Sequence, residues 1–240
     1  MDQPWGVLSE EGGRVTLHEW QGNALRTRDF ATVAAAISES GMAPDRLLRL
    51  EALPDAEVPA QVLPTVARAL GAVRQSVPLG LLPAAARILI AGALAERPDW
   101  DGIVCLPGAE QTLWVHVSAG EIVSFQGAAT ARLAAAFGAD GGLLDADALG
   151  DTLARPERLA VQLNSASLAG DAAAVIGHLI GAELAAMRPY WLGQEVLIVG
   201  GALPYADALA QQGVQAEAVD QALAWRAGLE ALGRAVGMIA

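Results

Sequence analysis

The chain has 240 residues with 27 acidic and 15 basic side chains, which gives a formal net charge of −12. Every basic side chain is an arginine. This balance disfavours a nucleic-acid partner, because neutralising phosphates requires clustered cations. The absence of lysine also excludes a phosphate-binding lysine of the Walker type and a lysine Schiff base.

Hydrophobic residues make up 53% of the chain, yet no uncharged apolar run reaches the roughly 18 residues that a membrane helix needs. The first residues contain no basic stretch followed by an apolar one, which disfavours a secretory signal. We therefore expect a soluble, cytoplasmic protein without a membrane partner.

The residues that could bind a metal are few and scattered. Cys105 is the one cysteine and lies in an apolar run, so we expect a small buried core residue. The histidines lack a second ligand at helical spacing, which favours surface or supporting roles over a metal site. They are His18, His116 and His178.

The first hundred residues predict a hairpin, helices and an irregular connector. Glycines at 12 and 13 supply positive φ between the two hairpin strands. Four prolines among scattered charges at 40–64 predict a loop-rich connector. The predicted elements are strands at 5–9 and 14–20 and helices at 30–38, 65–73 and 83–96.

The rest of the chain predicts an α/β fold. A continuously apolar run at 102–106 is typical of a strand buried on both faces. After residue 171 helices and strands alternate, which implies a largely parallel sheet covered by helices. The other predicted elements are strands at 114–118, 121–125, 195–199 and 214–218, helices at 128–137, 171–188, 203–212 and 220–237, and a loop at 140–151.

The most informative segment is the buried strand that ends at Gly200 and Gly201 and leads directly into a helix. Glycines there can adopt positive φ and let a flat ring or a phosphate approach the backbone. The alternative is an ordinary β-α turn without a ligand. The sequence alone leaves both interpretations open.

Five segments follow one another along the chain: Glu96-Arg-Pro-Asp-Trp-Asp-Gly-Ile-Val-Cys-Leu-Pro-Gly108, Trp114 to Phe125, Ile176 to Met187, Val196 to Leu209 and Val219 to Leu229. In this order they resemble the 2-dehydro-3-deoxygalactonokinase family. The resemblance covers roughly residues 85–238. It implies a two-lobed actin-like, ribonuclease H-like ATPase fold, with a reduced N-terminal lobe at 1–100 and a nucleotide-binding lobe at 101–240.

The resemblance also implies an activity: transfer of phosphate from ATP, with Mg²⁺, to the 6-hydroxyl of 2-dehydro-3-deoxygalactonate. The implied partners are a sugar acid and a nucleotide, and a homo-oligomer stays open. The implied site has Gly200, Gly201 and Ala202 beneath the adenosine. Gly108 and Thr112 are expected nearest the phosphates.

The chain departs from the family pattern at several places. No strand ending in an Asp-Trp-Gly-Thr-type motif is found, so we expect the N-terminal sheet to lack its opening strand. The second phosphate turn carries Ala109, Glu110 and Gln111 where the family has hydroxyl and cationic residues, and Glu110 would repel a phosphate unless a cation intervenes. Alanines also replace charged and hydroxyl residues at 82–89 and 127–133.

These departures leave three interpretations. The chain is a divergent or truncated sugar-acid kinase, a pseudokinase that retains a nucleotide-binding or assembly role, or an unrelated α/β scaffold. Asp207 and Asp220 are expected to serve helix N-termini. Glu183 is expected at a surface or between lobes, and no catalytic base is assigned.

Overall fold

The computed structural model describes residues 3–22, 24–65, 68–139, 143–201 and 203–239. The strands are β1 Trp5–Glu11, β2 Arg14–Gln21, β3 Ala24–Phe30, β4 Leu47–Glu57, β5 Ala60–Gln61, β6 Ala69–Gln75, β7 Gly80–Leu82, β8 Gly102–Pro107, β9 Thr112–Ser118, β10 Glu121–Ala128, β11 Val196–Val199 and β12 Glu217–Val219. The helices are α1 Val33–Ser40, α2 Ala84–Ala93, α3 Thr130–Ala136, α4 Ala146–Ala154, α5 Leu159–Ala169, α6 Ala172–Ala186, α7 Arg188–Trp191, α8 Tyr205–Ala210 and α9 Gln221–Ala235. No helix in the described ranges is both long and apolar enough to cross a membrane.

The chain divides into two compact units. Unit 1 comprises Met1–Arg97 and Ala222–Ala240, and unit 2 comprises Pro98–Gln221. The sequence places the division near residue 100 and assigns the C-terminal helix to the second lobe. The structure instead groups α9 with unit 1, because α9 packs directly against α2.

The sheet of unit 1 is built around β1. Its strands follow the order β3-β2-β1-β4-β6-β7. β1 is antiparallel to β2, from Trp5↔Trp20 to Glu11↔Arg14, and parallel to β4 on its other side. The expectation of a missing opening strand is therefore wrong, because the first strand of the chain holds the central position. The helices that the structure describes in unit 1 are α1, α2 and α9.

The sheet of unit 2 repeats this arrangement. Within the unit its strands follow the order β12-β11-β8-β9-β10. β8, β9 and β10 form an antiparallel meander, while β11 and β12 add parallel strands beside β8. Each unit thus has three meandering strands followed by two parallel ones. This duplicated α/β topology confirms the predicted actin-like fold class.

The central strands of unit 2 form as its sequence predicts, but residues 146–154 form α4 where a loop was predicted, and α5 was not anticipated. The apolar run of β8 is buried from Gly102 to Leu106, and Cys105 is fully buried as expected. β11 is buried along its whole length. Helix α6 is apolar almost all round and lies against α4, with Gly177 close to the backbone of Asp145. A helix of that composition must be covered on several faces.

Two further predictions within unit 1 are wrong, and one strand was not predicted. Residues 40–64 contain β4 rather than only a connector, and residues 69–75 form β6 rather than a helix. β6 is rich in alanine and leucine, which are helix formers, but it is a largely buried strand, so burial overrides propensity. β4 tolerates Pro54 because its pairing with β6 is irregular there. β3 was not anticipated.

A buried arginine holds this irregular pairing. Arg87 donates to the carbonyl oxygens of Val62 and Gly71 at 3.0 and 2.8 Å, and to Asp55 Oδ1 at 2.7 Å. Asp55 in turn accepts from the Gly71 amide at 2.8 Å. Burial lowers the pKa of Arg87, and the neighbouring Asp55 carboxylate opposes this shift. The guanidinium group therefore stabilises the backbone of unit 1.

Helices α2 and α9 approach so closely that glycine is required at their contact. A Cβ at Gly228 would collide with the carbonyl of Ile88, and a Cβ at Gly92 would collide with that of Ala224. We predict that Gly228→Ala destabilises the protein by about 1–3 kcal/mol, since overpacking forces the backbone to shift. Urea denaturation measures the effect.

The matched control for this prediction is Gly150→Ala. Gly150 is exposed on α4, and a Cβ there meets nothing within 4 Å. Alanine has the better helix propensity, so this variant should gain up to about 1 kcal/mol. Equal effects of the two substitutions would contradict the close helix contact.

Candidate functional site

The candidate site lies at the carboxyl edge of the unit 2 sheet. β8 and β11 are parallel neighbours, paired from Val196↔Ile103 to Ile198↔Cys105. Their carboxyl ends therefore meet. β8 runs into the turn 108–111, and β11 runs into the pair Gly200–Gly201. Ligands of open α/β sheets bind outside the carboxyl ends of such strands.

The glycine pair has the backbone that the sequence predicts. Gly200 and Gly201 have φ of 67° and 96°, in the region that favours glycine. A Cβ at Gly201 would lie 2.6 Å from Cβ of Pro107, the residue before Gly108. The Gly108 amide donates to the Gln111 carbonyl at 3.0 Å and closes the turn. The structure thus brings the two predicted glycine sites together.

The edge also includes the end of β12. The Gly200 amide donates to the Val219 carbonyl at 3.2 Å, and a Cβ at Gly200 would collide with the side chain of Gln221. Gly108 and Gly201 are exposed, so both can be reached from solvent. Ala202, the remaining predicted adenosine contact, lies outside the described residues.

Thr112 is placed differently from the glycines. It is 0% exposed, and its hydroxyl lies 2.7 Å from the hydroxyl of Tyr205. Its side chain therefore offers no surface to a phosphate in this structure. Thr112 directly follows the turn, so its buried hydroxyl can anchor the end of the turn.

A buried carboxyl group lies behind this edge. Glu183 of α6 is 5% exposed, so the expectation that it lies at a surface or between lobes is wrong. It accepts hydrogen bonds from Trp114 Nε1 at 2.6 Å, from the Tyr205 hydroxyl at 2.8 Å and from Thr130. We call these four residues with Thr112 the Glu183 cluster. A lone carboxylate inside an apolar helix was the available signal in the sequence.

The environment of the cluster disfavours negative charge. Burial raises the pKa of Glu183, while the hydrogen bonds from Thr130, Trp114 and Tyr205 oppose that rise. The pKa of Tyr205 lies well above its usual value because of burial and the nearby Glu183. Burial also raises the pKa of the Cys105 thiol, which therefore stays protonated at neutral pH.

Candidate donors for phosphate are scarce at this edge. Glu110 of the turn is exposed and acidic, and Thr130 is committed to Glu183. Arg87 belongs to unit 1 and is bonded to backbone there. Arg132 on α3 is exposed. Across the described residues, no group of three or more His, Cys, Asp or Glu side chains is placed to hold a metal ion.

A separate cavity of 220 Å³ lies near the amino end of β8, and none of Gly108, Thr112, Gly200 and Gly201 lines it. His116 Nε2 lies 3.4 Å from Asp101 Oδ1 there, and the Tyr190 hydroxyl donates to Ser124 Oγ at 3.1 Å. The lining residues are Ile103, His116, Ser124, Pro189, Tyr190 and Gln194.

Residues 153–232 match the family model described as 2-keto-3-deoxy-galactonokinase. This segment runs from the end of α4 into α9 and contains Glu183, Gly200 and Gly201. The resemblance to this family is confirmed. No curated protein sequence matches the chain.

Solved structures support the fold. A Sinorhizobium meliloti protein, described provisionally as a 2-dehydro-3-deoxygalactonokinase, superposes with a TM-score of 0.77 at 22% identity, over 97% of this chain and 99% of that one. Component A of the Acidaminococcus fermentans (R)-2-hydroxyglutaryl-CoA dehydratase matches at a TM-score of 0.44 and 13% identity, over 98% and 96% of the two chains. The first match establishes the shared fold.

The raised pKa of Glu183 predicts a pH dependence of stability. The folded state holds this proton more tightly than the unfolded chain, so its contribution is present at low pH and is lost as pH rises through the folded pKa. Glu183→Gln removes this dependence. The free energy of unfolding of the wild type, minus that of the variant, should therefore fall as pH rises above the usual carboxyl range. Urea titrations from pH 4 to 8 measure the difference, and a constant value would contradict the shift.

Proposed function

We propose that this chain is a sugar-acid kinase homologue that binds ATP at the carboxyl edge of unit 2. The observation that carries the proposal is the contact of the positive-φ pair Gly200–Gly201 with Pro107, beside the turn that Gly108 begins. The glycine pair lies within the segment that matches the kinase family. The substrate class proposed from that match is 2-dehydro-3-deoxygalactonate, with its 6-hydroxyl as acceptor.

The proposed roles follow from exposure and backbone geometry. Gly201 is exposed and has no side chain, so the adenosine can lie against its backbone, with Gly200 beside it. The exposed turn from Gly108 can approach the phosphates. Mg²⁺ would neutralise phosphate charge there, and Glu110 is the carboxylate that could face the ion. The buried Thr112 hydroxyl has no direct role in this proposal.

A specific observation supports the second candidate, a pseudokinase that binds nucleotide without phosphoryl transfer. Kinases stabilise the transferring phosphoryl group with cations and hydroxyl donors. Of the residues that could replace those donors, Arg87 binds backbone and Thr130 binds Glu183, which leaves the exposed Arg132 on α3. The cytoplasmic location and a homo-oligomer remain predictions.

Nucleotide binding should depend on the glycine pair. We predict that Gly201→Val weakens binding of Mg-ATP at least about tenfold, or 1.4 kcal/mol, because its Cβ collides with Pro107 and a branched side chain blocks approach. Isothermal titration calorimetry measures the affinity.

Gly213→Val is the control for backbone strain alone. Gly213 has a φ of 77°, but a Cβ there meets nothing within 4 Å. Strain at this position should lower stability and leave the affinity for Mg-ATP unchanged. Equal binding by wild type and Gly201→Val would remove the glycine pair from the site.

Phosphoryl transfer by this chain should be absent or very slow. The two missing kinds of donor each contribute about 10² or more in rate in comparable sites. A coupled assay of ADP release with 2-dehydro-3-deoxygalactonate tests this, with a heat-denatured sample as the blank. Turnover at the rates of about 1–100 per second usual for kinases would overturn the pseudokinase alternative. Arg132 would then be the first residue to substitute.

A further inference from the structure

We propose that Glu183 is a positioning residue, and that the Glu183 cluster fixes the turn 108–111 and the glycine pair relative to each other. Its effect on nucleotide affinity rests on the proposed function. Its effect on the backbone does not.

Glu183 collects donors from three separate elements. Trp114 lies on β9, Thr130 begins α3 and Tyr205 begins α8, while Glu183 itself lies near the C-terminal end of α6. Both carboxyl oxygens are used, since Trp114 binds Oε1 and the two hydroxyls bind Oε2. The carboxyl group therefore fixes the directions of three side chains at once.

Two of the joined positions border the candidate site. Thr112 is the first residue of β9, directly after the turn 108–111, and Tyr205 is the first residue of α8, four residues after Gly201. Because Tyr205 donates to Glu183, its oxygen is free to accept from the Thr112 hydroxyl at 2.7 Å. This bond ties the far end of one turn to the far end of the other.

The near ends of the same turns are already in contact. Gly201 packs on Pro107, which directly precedes the turn 108–111. The two turns are thus held together at two points, one made by van der Waals contact and one by a chain of hydrogen bonds. Two points of contact leave two segments fewer relative rotations than one point does.

Stability alone accounts poorly for such a cluster. Among the described residues no arginine or histidine forms an ion pair with Glu183, so the carboxyl group is buried without a cation. Replacing buried charged groups by apolar residues of similar shape is often neutral or stabilising. Hydrogen bonds impose direction, which apolar packing does not. Direction is what a nucleotide site needs from the backbone that frames it.

Substitutions of single hydroxyl groups test the proposal. Thr112→Val and Tyr205→Phe each remove the bond between the turns and keep the shape of the side chain. Thr152→Val is the matched control, since Thr152 is also 0% exposed and donates to Gln162 at 2.7 Å, in a network on α4, α5 and α6. Glu183→Gln tests the carboxyl group itself.

The first measurement is amide hydrogen exchange without nucleotide. Thr112→Val should speed exchange at 199–205, and Tyr205→Phe should speed it at 108–112, each about tenfold. In each case the affected segment is the one on the other side of the hydrogen bond between Thr112 and Tyr205. Glu183→Gln should speed both segments. Thr152→Val should change neither, at a comparable loss of thermal stability. Changes confined to the substituted segment, or equal changes in the control, would overturn the proposal.

The second measurement is calorimetry with Mg-ATP. Thr112→Val and Tyr205→Phe should weaken binding by a similar factor, about tenfold, and the double variant should be little worse than either, because both remove one link. If the double variant instead lost affinity by the product of the two single factors, Thr112 and Tyr205 would not act through one shared link, and the proposal would be overturned. If the wild type binds no Mg-ATP, the proposed function fails, and the exchange data alone still decide whether the cluster positions the turns.

Discussion

The candidate site depends on the parallel pairing of β8 with β11. Because both strands run in the same direction, the end of one is delivered beside the end of the other, and segments almost a hundred residues apart in the sequence become neighbours. The pairing is secured by burial, since both strands are apolar and nearly inaccessible. The exposed residues at this edge, which include Gly108, Glu110 and Gly201, are carried by that buried pair.

The parallel pairing of β8 with β11 also explains why glycine is needed at this edge. Pro107 fills the space beside Gly201 so closely that even a Cβ would overlap with it. A similar demand recurs in unit 1, where α2 and α9 touch through Gly92 and Gly228. In both places a backbone comes within contact distance of its neighbour. Glycine permits this close approach beside a candidate ligand site in the first case and between packed helices in the second.

The sequence predicted the elements whose surroundings agree with their local pattern. β8 and β11 are apolar runs, and the glycine pair marks the end of a strand before a helix, so all three are found as expected. The predictions for β4 and β6 failed because β4 contains a proline and β6 is rich in helix formers. Their conformation is set by partners far along the chain, which local reasoning does not reach.

The geometry of the candidate site follows from the sequence only in part, for a similar reason. Gly200 and Gly201 have positive φ, and their position between a strand and a helix indicates this in the sequence. The role of Thr112 depends on Tyr205 and Glu183, which are distant in the sequence and meet it only in the fold. A hydroxyl beside a turn predicts a ligand contact, but three-dimensional packing assigns this one to the interior.

The duplicated topology clarifies how the fold can persist while chemical groups change. Both sheets share one strand order, although their turns carry different residues: Gly12 and Gly13 after β1, and Gly108 to Gln111 after β8. Strand order is determined by buried apolar faces, whereas phosphate donors are exposed side chains that contribute little to that burial. A change of side chains at 109–111 can therefore leave the backbone of the edge intact. On the proposed function, a nucleotide site built from backbone can persist without the side chains that perform transfer, so binding and turnover can be separated in this chain.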